Sequence, residues 1–372
     1  MPGNTRYRKG GVFLDEFDCR TKIISGTGTV RRLADFGAKR LFLVTDPYFM
    51  KDGTARRVAE AAKAEVYEIF DGVEPDPSVE LAARGAAKVR AFKPDLIVAL
   101  GGGSALDCAK AFSYFGGSCT LAAIPTTSGS GSEVTDFAIL AHGGVKHPLV
   151  DPKLQPDYAI LDDDLLRNLP KSLIADSGFD VLAHALEACG GRNGGWFTDC
   201  LARESFRLAY QTLPKSYAGD KSLRLSMHKA ATMAGLAFNQ AGLGICHALS
   251  HALGGAFHVP HGRLNAILLP AVLEANAPHA PEKYAALARH AGFNASSDTM
   301  AIRDLKNGLV RLRRQLELPQ TLAQAGVDIP KLRQQEQQII SAALADPCCG
   351  TNPVKPEAHI LRQILAQVMG HG

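Results

Sequence analysis

A group of histidines and one aspartate in the second half of the chain has the residue types and spacing of a metal site. Asp180 and His184 lie four residues apart on a predicted helix, so their side chains share one face. His247 and His251 repeat this spacing on another predicted helix, and His261 follows ten residues later. One carboxylate and three imidazoles suit a catalytic Fe(II), Zn(II) or similar divalent ion with a position left open for substrate.

Spacing alone leaves the identity of the ligands open. His247 and His251 are interchangeable by this criterion, and His258 competes with His261 because it lies three residues earlier. A lone helical histidine is more often a core or surface residue than a ligand. An aspartate in the first turn of a helix is also favoured by the helix dipole alone. The prediction of a metal site therefore rests on the whole group.

A glycine-rich turn in the first half has the features of a phosphate-binding site. The predicted strand at residues 95–100 runs into GGGS at residues 101–104, and a helical stretch follows. Glycines let the backbone approach a ligand closely, and a helix start offers free N–H groups and a partial positive charge. This combination suits a pyrophosphate at the carboxyl end of a parallel strand. A plain strand-to-helix turn is the alternative, because glycine is the usual turn residue.

A second loop and an acidic residue strengthen the case for a nucleotide. The loop PTTSGSGSE at residues 125–133 can wrap a phosphate or a ribose, and its place inside a folded pattern argues against a linker. Asp46 ends an earlier predicted strand. An acid there can bind ribose hydroxyls and would repel a 2′-phosphate, which favours NAD over NADP. The alternative is that Asp46 only opens a turn before Pro47.

The elements that must position these residues differ between the two halves. To about residue 170, predicted strands alternate with predicted helices, which implies a parallel sheet with helices on both faces. The strands are expected at residues 40–45, 95–100, 119–124 and 158–161, with helices at 54–64 and 78–91. In the second half, Ser177 is expected to cap a helix that ends at Gly190. Further helices are expected at 224–239, 243–253, 263–276, 330–345 and 356–369.

These elements predict three segments. Residues 1–12 form a basic leader, residues 13–171 an α/β dinucleotide-binding domain with a parallel sheet, and residues 172–372 an all-α domain for metal and substrate. A cleft between two such domains is a common place for a ligand. We therefore expect a ligand to bind between these two domains.

Composition excludes several classes of protein. The 372 residues are 46% hydrophobic and 21% charged, as in an ordinary globular enzyme and unlike a disordered chain. No apolar run is long enough to span a membrane. The net charge of +4 is too small to indicate nucleic acid or an anionic membrane as partner. The basic leader has no apolar segment of an export signal, and the eight cysteines show no CxxC pair, so we expect reduced thiols in the cytoplasm.

Several stretches of the chain carry a family resemblance. They are GGGSALDCAKA, AIPTTSGSGSEVT, DVLAHALEA and GLGICHALSHALGGAFHVPHG. With these, the chain resembles the iron-dependent (group III) alcohol dehydrogenases from about Cys19 to the C-terminus. FTDCLA and the terminal TNPVKPEA are most similar to the 1-propanol dehydrogenase branch associated with bacterial microcompartments. The resemblance implies the dehydroquinate synthase-like fold, in which a parallel-sheet NAD domain precedes an all-α domain.

The resemblance also implies roles for single residues. It assigns the metal ligands to Asp180, His184, His247 and His261, and it places His251 beside the nicotinamide as a proton relay. The implied substrate pocket includes Phe238 and Cys348. The implied cofactor contacts are Asp46, Gly102, Gly103, Ser104, Thr126, Thr127, Thr135 and Lys146. The chain departs from the family at Asp76, where many members have asparagine, and at Cys246 and Cys349.

The function implied is a metal-dependent, NAD(H)-linked interconversion of short aldehydes such as propanal and primary alcohols, with reduction regenerating NAD. Fe(II) is the expected metal and Zn(II) the alternative. A homodimer is expected in the cytoplasm, inside a microcompartment, with shell or cargo proteins as partners. A polyol (glycerol-type) dehydrogenase of the same fold is the rival function, followed by a non-catalytic nucleotide- or metal-binding scaffold. A dehydroquinate synthase-like lyase is disfavoured because Arg263 is the only cation near the ligands in sequence.

Overall fold

The computed structural model of the protein describes residues 16–143 and 145–370. Backbone contacts divide the chain into two units, the first spanning Asp18–Leu169 and the second running from Pro170 onward. The predicted basic leader at residues 1–12 lies outside the described residues. None of the helices in the described ranges has both the length and the apolar character that crossing a bilayer requires.

The described residues form eight strands and thirteen α-helices. The strands are β1 (Lys22–Ser25), β2 (Arg40–Val44), β3 (Val66–Phe70), β4 (Leu96–Gly101), β5 (Thr120–Pro125), β6 (Phe137–His142), β7 (Val145–Val150) and β8 (Tyr158–Leu161). The helices of the first unit are α1 (Pro47–Lys51), α2 (Thr54–Ala61), α3 (Val79–Phe92) and α4 (Gly103–Gly116). Those of the second unit are α5 (Lys171–Gly190), α6 (Trp196–Ala218), α7 (Arg224–Ala241), α8 (Ile245–Phe257), α9 (His261–Asn276), α10 (Pro281–His290), α11 (Asp298–Gln315), α12 (Ile329–Ala345) and α13 (Ala358–Val368).

The first unit is built on a six-stranded parallel sheet with the order β1-β8-β5-β4-β2-β3. Successive side chains of a strand point to opposite faces. Leu41 and Leu43 of β2 accordingly pack in a cluster with residues of α2, whereas Phe42 and Val44 pack in a cluster with residues of α3 and α4. Helices cover both faces, so the predicted parallel α/β architecture is confirmed.

The alternating pattern did not reveal every strand of this unit. Edge strand β3 begins with the exposed residues Val66 and Tyr67, so its apolar side chains do not form a buried run. Strands β6 and β7 form a separate antiparallel pair, in which Phe137 is opposite Val150. Edge strand β3 therefore lacked the buried apolar run of β2, β4 and β5, and the antiparallel pair lies outside the alternation of strands and helices from which the sheet was predicted.

The second unit contains helices α5 to α13 and no strand within the described residues. The prediction that Ser177 caps the first of them is wrong. Helix α5 begins at Lys171 with Pro170 at the N-cap position, and the Ser177 hydroxyl donates to the Leu173 carbonyl at 2.6 Å inside the helix. A serine can bond back to the carbonyl four residues earlier, so it does not have to mark a helix start.

Helix α9 continues through a proline because a buried arginine replaces the lost hydrogen bond. Pro270 has no N–H to donate to the carbonyl of Ala266, four residues earlier. Arg313 of α11 donates to the carbonyls of Ala266 and Ile267, each at 3.0 Å. Burial lowers the pKa of Arg313 to about 10, which still leaves it charged at neutral pH. The segment after His261 is thereby held as a continuous helix.

Candidate active site

Helix α5 presents three polar side chains from one face. Asp180, His184 and Glu187 follow a spacing of four and three residues, which places them along one side of a helix. All three are buried, and His184 Nε2 lies 4.0 Å from Asp180 Oδ1. Sequence reasoning identified the first two and missed Glu187, although the same spacing rule extends to it.

Helices α8 and α9 bring two further imidazoles to the same carboxylate. His247 Nε2 lies 3.7 Å and His261 Nε2 lies 3.5 Å from Asp180 Oδ1. The ligand atoms of Asp180, His247 and His261 all lie within 4.8 Å of one another. The ring of His184 stacks on that of His247 with centroids 4.5 Å apart, and on Phe238 at 4.4 Å. The four side chains assigned by resemblance are thus neighbours in the second unit.

The two competing histidines are not part of this group of ligand atoms. His258 is the left-handed residue that ends α8, with φ of 55°. His251 belongs to a different group of ligand atoms, with Asp346 and Cys348, although its ring stacks on that of His261 at 5.1 Å. Side-chain placement separates His247 from His251, which spacing alone could not do.

The charge states of Asp180 and His261 suit metal binding. Burial would raise the pKa of Asp180, but the facing imidazoles of His184, His261 and His247 hold it well below its usual range. Burial, helped by the imidazoles of His251 and His247, lowers the pKa of His261 well below its usual value against the pull of Asp180. An ionised carboxylate and a neutral imidazole are the forms that bind a metal ion.

Glu187 fixes the orientation of His247. Its Oε2 lies 2.6 Å from His247 Nδ1, and both side chains are 1% exposed. A carboxylate on one ring nitrogen sets the tautomer and leaves the other nitrogen free to face the site. Burial would lower the pKa of His247, but the neighbouring carboxylates of Asp180 and Glu187 raise it to about 9.

The same glutamate helps to begin α8. Its two carboxylate oxygens accept the N–H groups of Gly244 at 2.9 Å and Cys246 at 2.7 Å, and Asn352 Oδ1 accepts that of Ile245 at 3.1 Å. A Cβ at Gly244 would lie 2.5 Å from Asn352 Oδ1 and 2.6 Å from Glu187 Oε1. Only glycine leaves room for these distant side chains to satisfy the first N–H groups of the helix.

A buried amide shows that the candidate ligands point to a common place. Asn265 Nδ2 lies 2.7 Å from Asp180 Oδ1, 3.2 Å from His247 Nε2 and 3.1 Å from His261 Nε2. One oxygen and two nitrogen atoms thus converge on the same amide nitrogen, and oxygen and nitrogen ligands suit a divalent cation such as Fe(II) or Zn(II). Asn265 is four residues after His261 on α9, and sequence reasoning missed it.

A second set of side chains surrounds His251. Its Nδ1 lies 2.8 Å from Asp346 Oδ2, and the ligand atoms of His251, Asp346 and Cys348 lie within 4.8 Å of one another. Asp346 also caps the short turn Pro347–Thr351, because its Oδ1 accepts the N–H of Cys348 at 2.8 Å. Asp346 was not predicted, and 95 residues separate it from His251.

In the first unit, the two predicted phosphate loops pack together. A Cβ at Gly103 would lie 3.3 Å from Ser130 Cβ, and one at Gly102 would lie 3.5 Å from Thr127 Oγ1. Gly101 has φ of 151°, a conformation that favours glycine. Ser104 lies in the first turn of α4. The glycine turn therefore packs against the second loop at the start of a helix, where free N–H groups can bind an anion.

Sheet order places Asp46 at the same edge. Strand β3 lies on one side of β2, and β4, the next strand along the chain, lies on the other side. The switch point of the sheet is therefore between β2 and β4. Ligands of such sheets bind at the carboxyl ends of the strands at this point. Asp46 follows β2, and its Oδ1 accepts the N–H of Tyr48 at 2.9 Å, which caps α1. Its Oδ2 lies 3.7 Å from where a Cβ at Gly101 would stand.

The remaining predicted cofactor residues have partners within the unit. Thr126 is buried, and its N–H donates to the Gly101 carbonyl at 2.9 Å. Thr135 is fully buried, and its hydroxyl accepts from Lys110 Nζ at 2.9 Å. Lys146 forms an exposed ion pair with Asp76, 2.6 Å between Nζ and Oδ1. Asp76, where many members of the resembled family have asparagine, therefore neutralises the charge of Lys146, which an asparagine could not do.

Comparison with known proteins agrees with this geometry. The family model described as iron-containing alcohol dehydrogenase matches residues 20–163, and that of the C-terminal part of the Fe-containing alcohol dehydrogenase family matches residues 174–369. The chain is 37% identical to the 1-propanol dehydrogenase PduQ of Citrobacter freundii, over 96% of this chain and 100% of that protein. It is 35% identical to the NADPH-dependent butanol dehydrogenase of Clostridium saccharobutylicum, over 89% and 92%.

A solved structure of an iron-containing alcohol dehydrogenase is also similar to this chain. The iron-containing alcohol dehydrogenase from Thermococcus thioreducens is 34% identical, with a TM-score of 0.87 over 95% of this chain and 99% of that one. The sheet order, the helical second unit and the resemblance stated from the sequence agree with these matches. The chain belongs to the iron-containing alcohol dehydrogenase family, and it is an oxidoreductase that acts on alcohols.

Proposed function

We propose that the enzyme uses NADH and a divalent metal to reduce short aliphatic aldehydes such as propanal to primary alcohols. The observation that best supports a metal-dependent reaction is the convergence of Asp180, His247 and His261 on one point beside Asn265. The full-length match to a 1-propanol dehydrogenase supports the choice of substrate. Regeneration of NAD beside an aldehyde-producing reaction is the proposed role.

The proposed ligands are Asp180, His184, His247 and His261, with Fe(II) as the metal and Zn(II) as the alternative. When bound, the metal supplies Lewis-acid stabilisation of the carbonyl oxygen and NADH supplies the hydride. Glu187 holds His247 with Nε2 toward the site, and Asn265 holds Asp180 Oδ1 at 2.7 Å. These contacts fix the ligand positions before the metal arrives, which is what preorganisation requires.

His251 is the proposed source of the proton that completes the alcohol. Asp346 holds its Nδ1 at 2.8 Å, so Nε2 is the ring nitrogen left to exchange a proton with substrate or water. Phe238, stacked on His184, and Cys348 are the proposed pocket residues. A hydrophobic pocket discriminates by about 1–3 kcal/mol per methylene, so ethanal, propanal and butanal should all be substrates.

The cofactor is proposed to bind at the switch point of the sheet. Gly102, Gly103 and Ser104 would hold the pyrophosphate on the start of α4, and Asp46 would bind the adenosine ribose through Oδ2. A 2′-phosphate would meet this carboxylate, so NADH should be preferred over NADPH. The remaining proposed contacts are Thr126, Thr127, Thr135 and Lys146.

Oligomeric state and location rest on the branch resemblance. We propose a cytoplasmic homodimer that works inside a microcompartment alongside shell or cargo proteins. Size-exclusion chromatography with light scattering tests the dimer, because a monomeric mass at assay concentration would contradict it.

The experiment that tests the function is a steady-state assay of anaerobically purified protein whose metal content is known. We expect NADH oxidation with propanal, loss of activity after chelation, and recovery on adding Fe(II). Dihydroxyacetone is the discriminating substrate. A higher kcat/KM for dihydroxyacetone than for propanal would replace the proposal with a polyol dehydrogenase. No turnover of propanal with Fe(II) or Zn(II) would contradict the proposed metal and substrate.

A further inference from the structure

Three potential metal ligands lie together outside the proposed ligand set. They are His251 on α8, Asp346 at the end of α12, and Cys348 in the turn that follows, and their ligand atoms lie within 4.8 Å of one another. We propose that this cluster is a second cation site, suited to Zn(II), whose occupation inhibits the enzyme. The inhibitory part rests on the proton role proposed for His251, and the binding part does not.

The carboxylate of Asp346 already connects the other two residues. Its Oδ2 lies 2.8 Å from His251 Nδ1, and its Oδ1 accepts the N–H of Cys348 at 2.8 Å. Tetrahedral zinc with bonds of about 2.0–2.3 Å separates its ligand atoms by roughly 3.3–3.6 Å. The cluster can reach that spacing by small side-chain movements, because no pair of its ligand atoms is more than 4.8 Å apart.

The donor set selects the type of ion. One thiol, one imidazole and one carboxylate suit Zn(II) or Co(II), whereas Mg²⁺ and Ca²⁺ prefer oxygen ligands. Binding releases the thiol proton to solvent, because the thiolate is the form that coordinates. The proposed first-site ligands include no sulfur atom, so a metal–sulfur bond that is lost in Cys348→Ser reports the second site.

The adjacent cysteine provides a matched control. The Cys349 thiol donates to the carbonyl of Ala343 at 3.0 Å, and Cys349 is not part of the ligand group. A serine at either position keeps the size of the side chain nearly constant. Cys348→Ser therefore removes the proposed ligand, whereas Cys349→Ser removes a neighbouring thiol in the same turn.

The binding test is a Co(II) titration of the metal-free, full-length protein followed by absorbance and by metal content per chain. We expect two ions per chain in the wild type, with a sulfur-to-cobalt charge-transfer band. Cys348→Ser should keep one ion and lose the band, and Cys349→Ser should keep both. His261→Ala should keep the band, because it removes no ligand of the second site. Absence of the band in the wild type, or its loss in Cys349→Ser alone, would overturn the assignment.

The inhibition test measures NADH oxidation by the Fe(II)-loaded enzyme against added Zn(II), each variant relative to its own uninhibited rate. Loss of a supporting residue around a metal already costs 10–100-fold in affinity, so Cys348→Ser should raise the inhibitory Zn(II) concentration by roughly tenfold or more. Equal sensitivity of Cys348→Ser and wild type would disprove inhibition through this cluster. If the protein turned over no aldehyde, the cobalt titration would still decide whether the second site exists.

Discussion

His247 depends on a carboxylate that is not itself among the proposed ligands. Glu187 binds its Nδ1 and also accepts the N–H groups of Gly244 and Cys246. A glutamine at this position would keep the volume but would replace one carboxylate oxygen with an NH₂ group that cannot accept these hydrogen bonds. We therefore expect metal binding to rely on the charge of Glu187 as well as on its shape.

We predict that Glu187→Gln lowers metal affinity by about 10–100-fold, the usual cost of losing a partner behind a ligating histidine. Competition with a chelator of known affinity measures this loss, and the melting temperature of the metal-free variant reports the weaker start of α8. Glu282→Gln, an exposed change on α10, is the control. Wild-type metal affinity in Glu187→Gln would show that His247 is oriented without it.

The sequence allowed some of these side chains to be placed and not others. Glu187 and Asn265 follow His184 and His261 by three and four residues on predicted helices, so a shared face was predictable. The contacts of Asp346 with His251 and of Asn352 with Ile245 join segments about a hundred residues apart. No local spacing rule relates such pairs, because tertiary packing alone sets their distance.

At the scale of elements, a buried lysine ties the second phosphate loop to α4. Lys110 Nζ donates to the Thr135 hydroxyl at 2.9 Å and to the Phe137 carbonyl at 2.8 Å, and it lies 3.9 Å from Asp107 Oδ1. Asp107 in turn accepts from the Ser132 hydroxyl at 2.6 Å. The helix after the GGGS turn and the loop that faces this turn are thus joined by charged side chains with almost no exposure.

This contact predicts a pH effect on stability. Burial lowers the pKa of Lys110 to about 8, although Asp107 opposes the shift. An unfolded lysine keeps its proton to about pH 10.4, so between these values the unfolded chain binds more protons and stability rises with pH. We predict that the stability advantage of wild type over Lys110→Met grows by up to about 2 kcal/mol from about pH 8 to about pH 9.5.

Melting temperatures of both proteins across this pH range provide the measurement. Lys88→Met, an exposed lysine on α3, is the control and should change in parallel with wild type. A wild-type advantage that stays constant or shrinks as pH rises would show that Lys110 is not held in a proton-releasing environment.

Whether a strand or helix could be predicted from the sequence depended on the types of residue on its buried side. The interior strands β2, β4 and β5 consist mostly of buried apolar residues and were found from the sequence. Helix α6 was missed, because much of its buried side consists of small or hydroxyl side chains such as Thr198, Ala202, Ser205 and Ala209. A stripe of this kind has little contrast with the polar side of the helix, so hydrophobic periodicity does not reveal it.

At the scale of the molecule, the two units hold different parts of the proposed chemistry. The ligand side chains all belong to the second unit, and the GGGS turn with Asp46 belongs to the first. Removal of one ligand should therefore affect metal binding without removing any residue of the proposed cofactor site. This division makes the two binding events separable by mutation.

We predict that His261→Ala loses the metal and all metal-dependent turnover while its NADH affinity stays close to that of wild type. Elemental analysis, NADH fluorescence titration and an aldehyde assay measure the three properties on one preparation. His279→Ala, an exposed histidine just after α9, is the control. Full metal content in His261→Ala would remove this residue from the ligand set.

The missing Cβ at Gly244 limits how this enzyme can diversify. Any larger residue would collide with Glu187 and Asn352. The displaced Glu187 would then no longer hold the His247 ring in place. In a library that randomises residues 243–248, selection for function should therefore retain glycine at this position. New substrate specificities would have to arise at positions whose neighbouring side chains can move to admit a larger residue. Gly244 should stay unchanged while those positions vary.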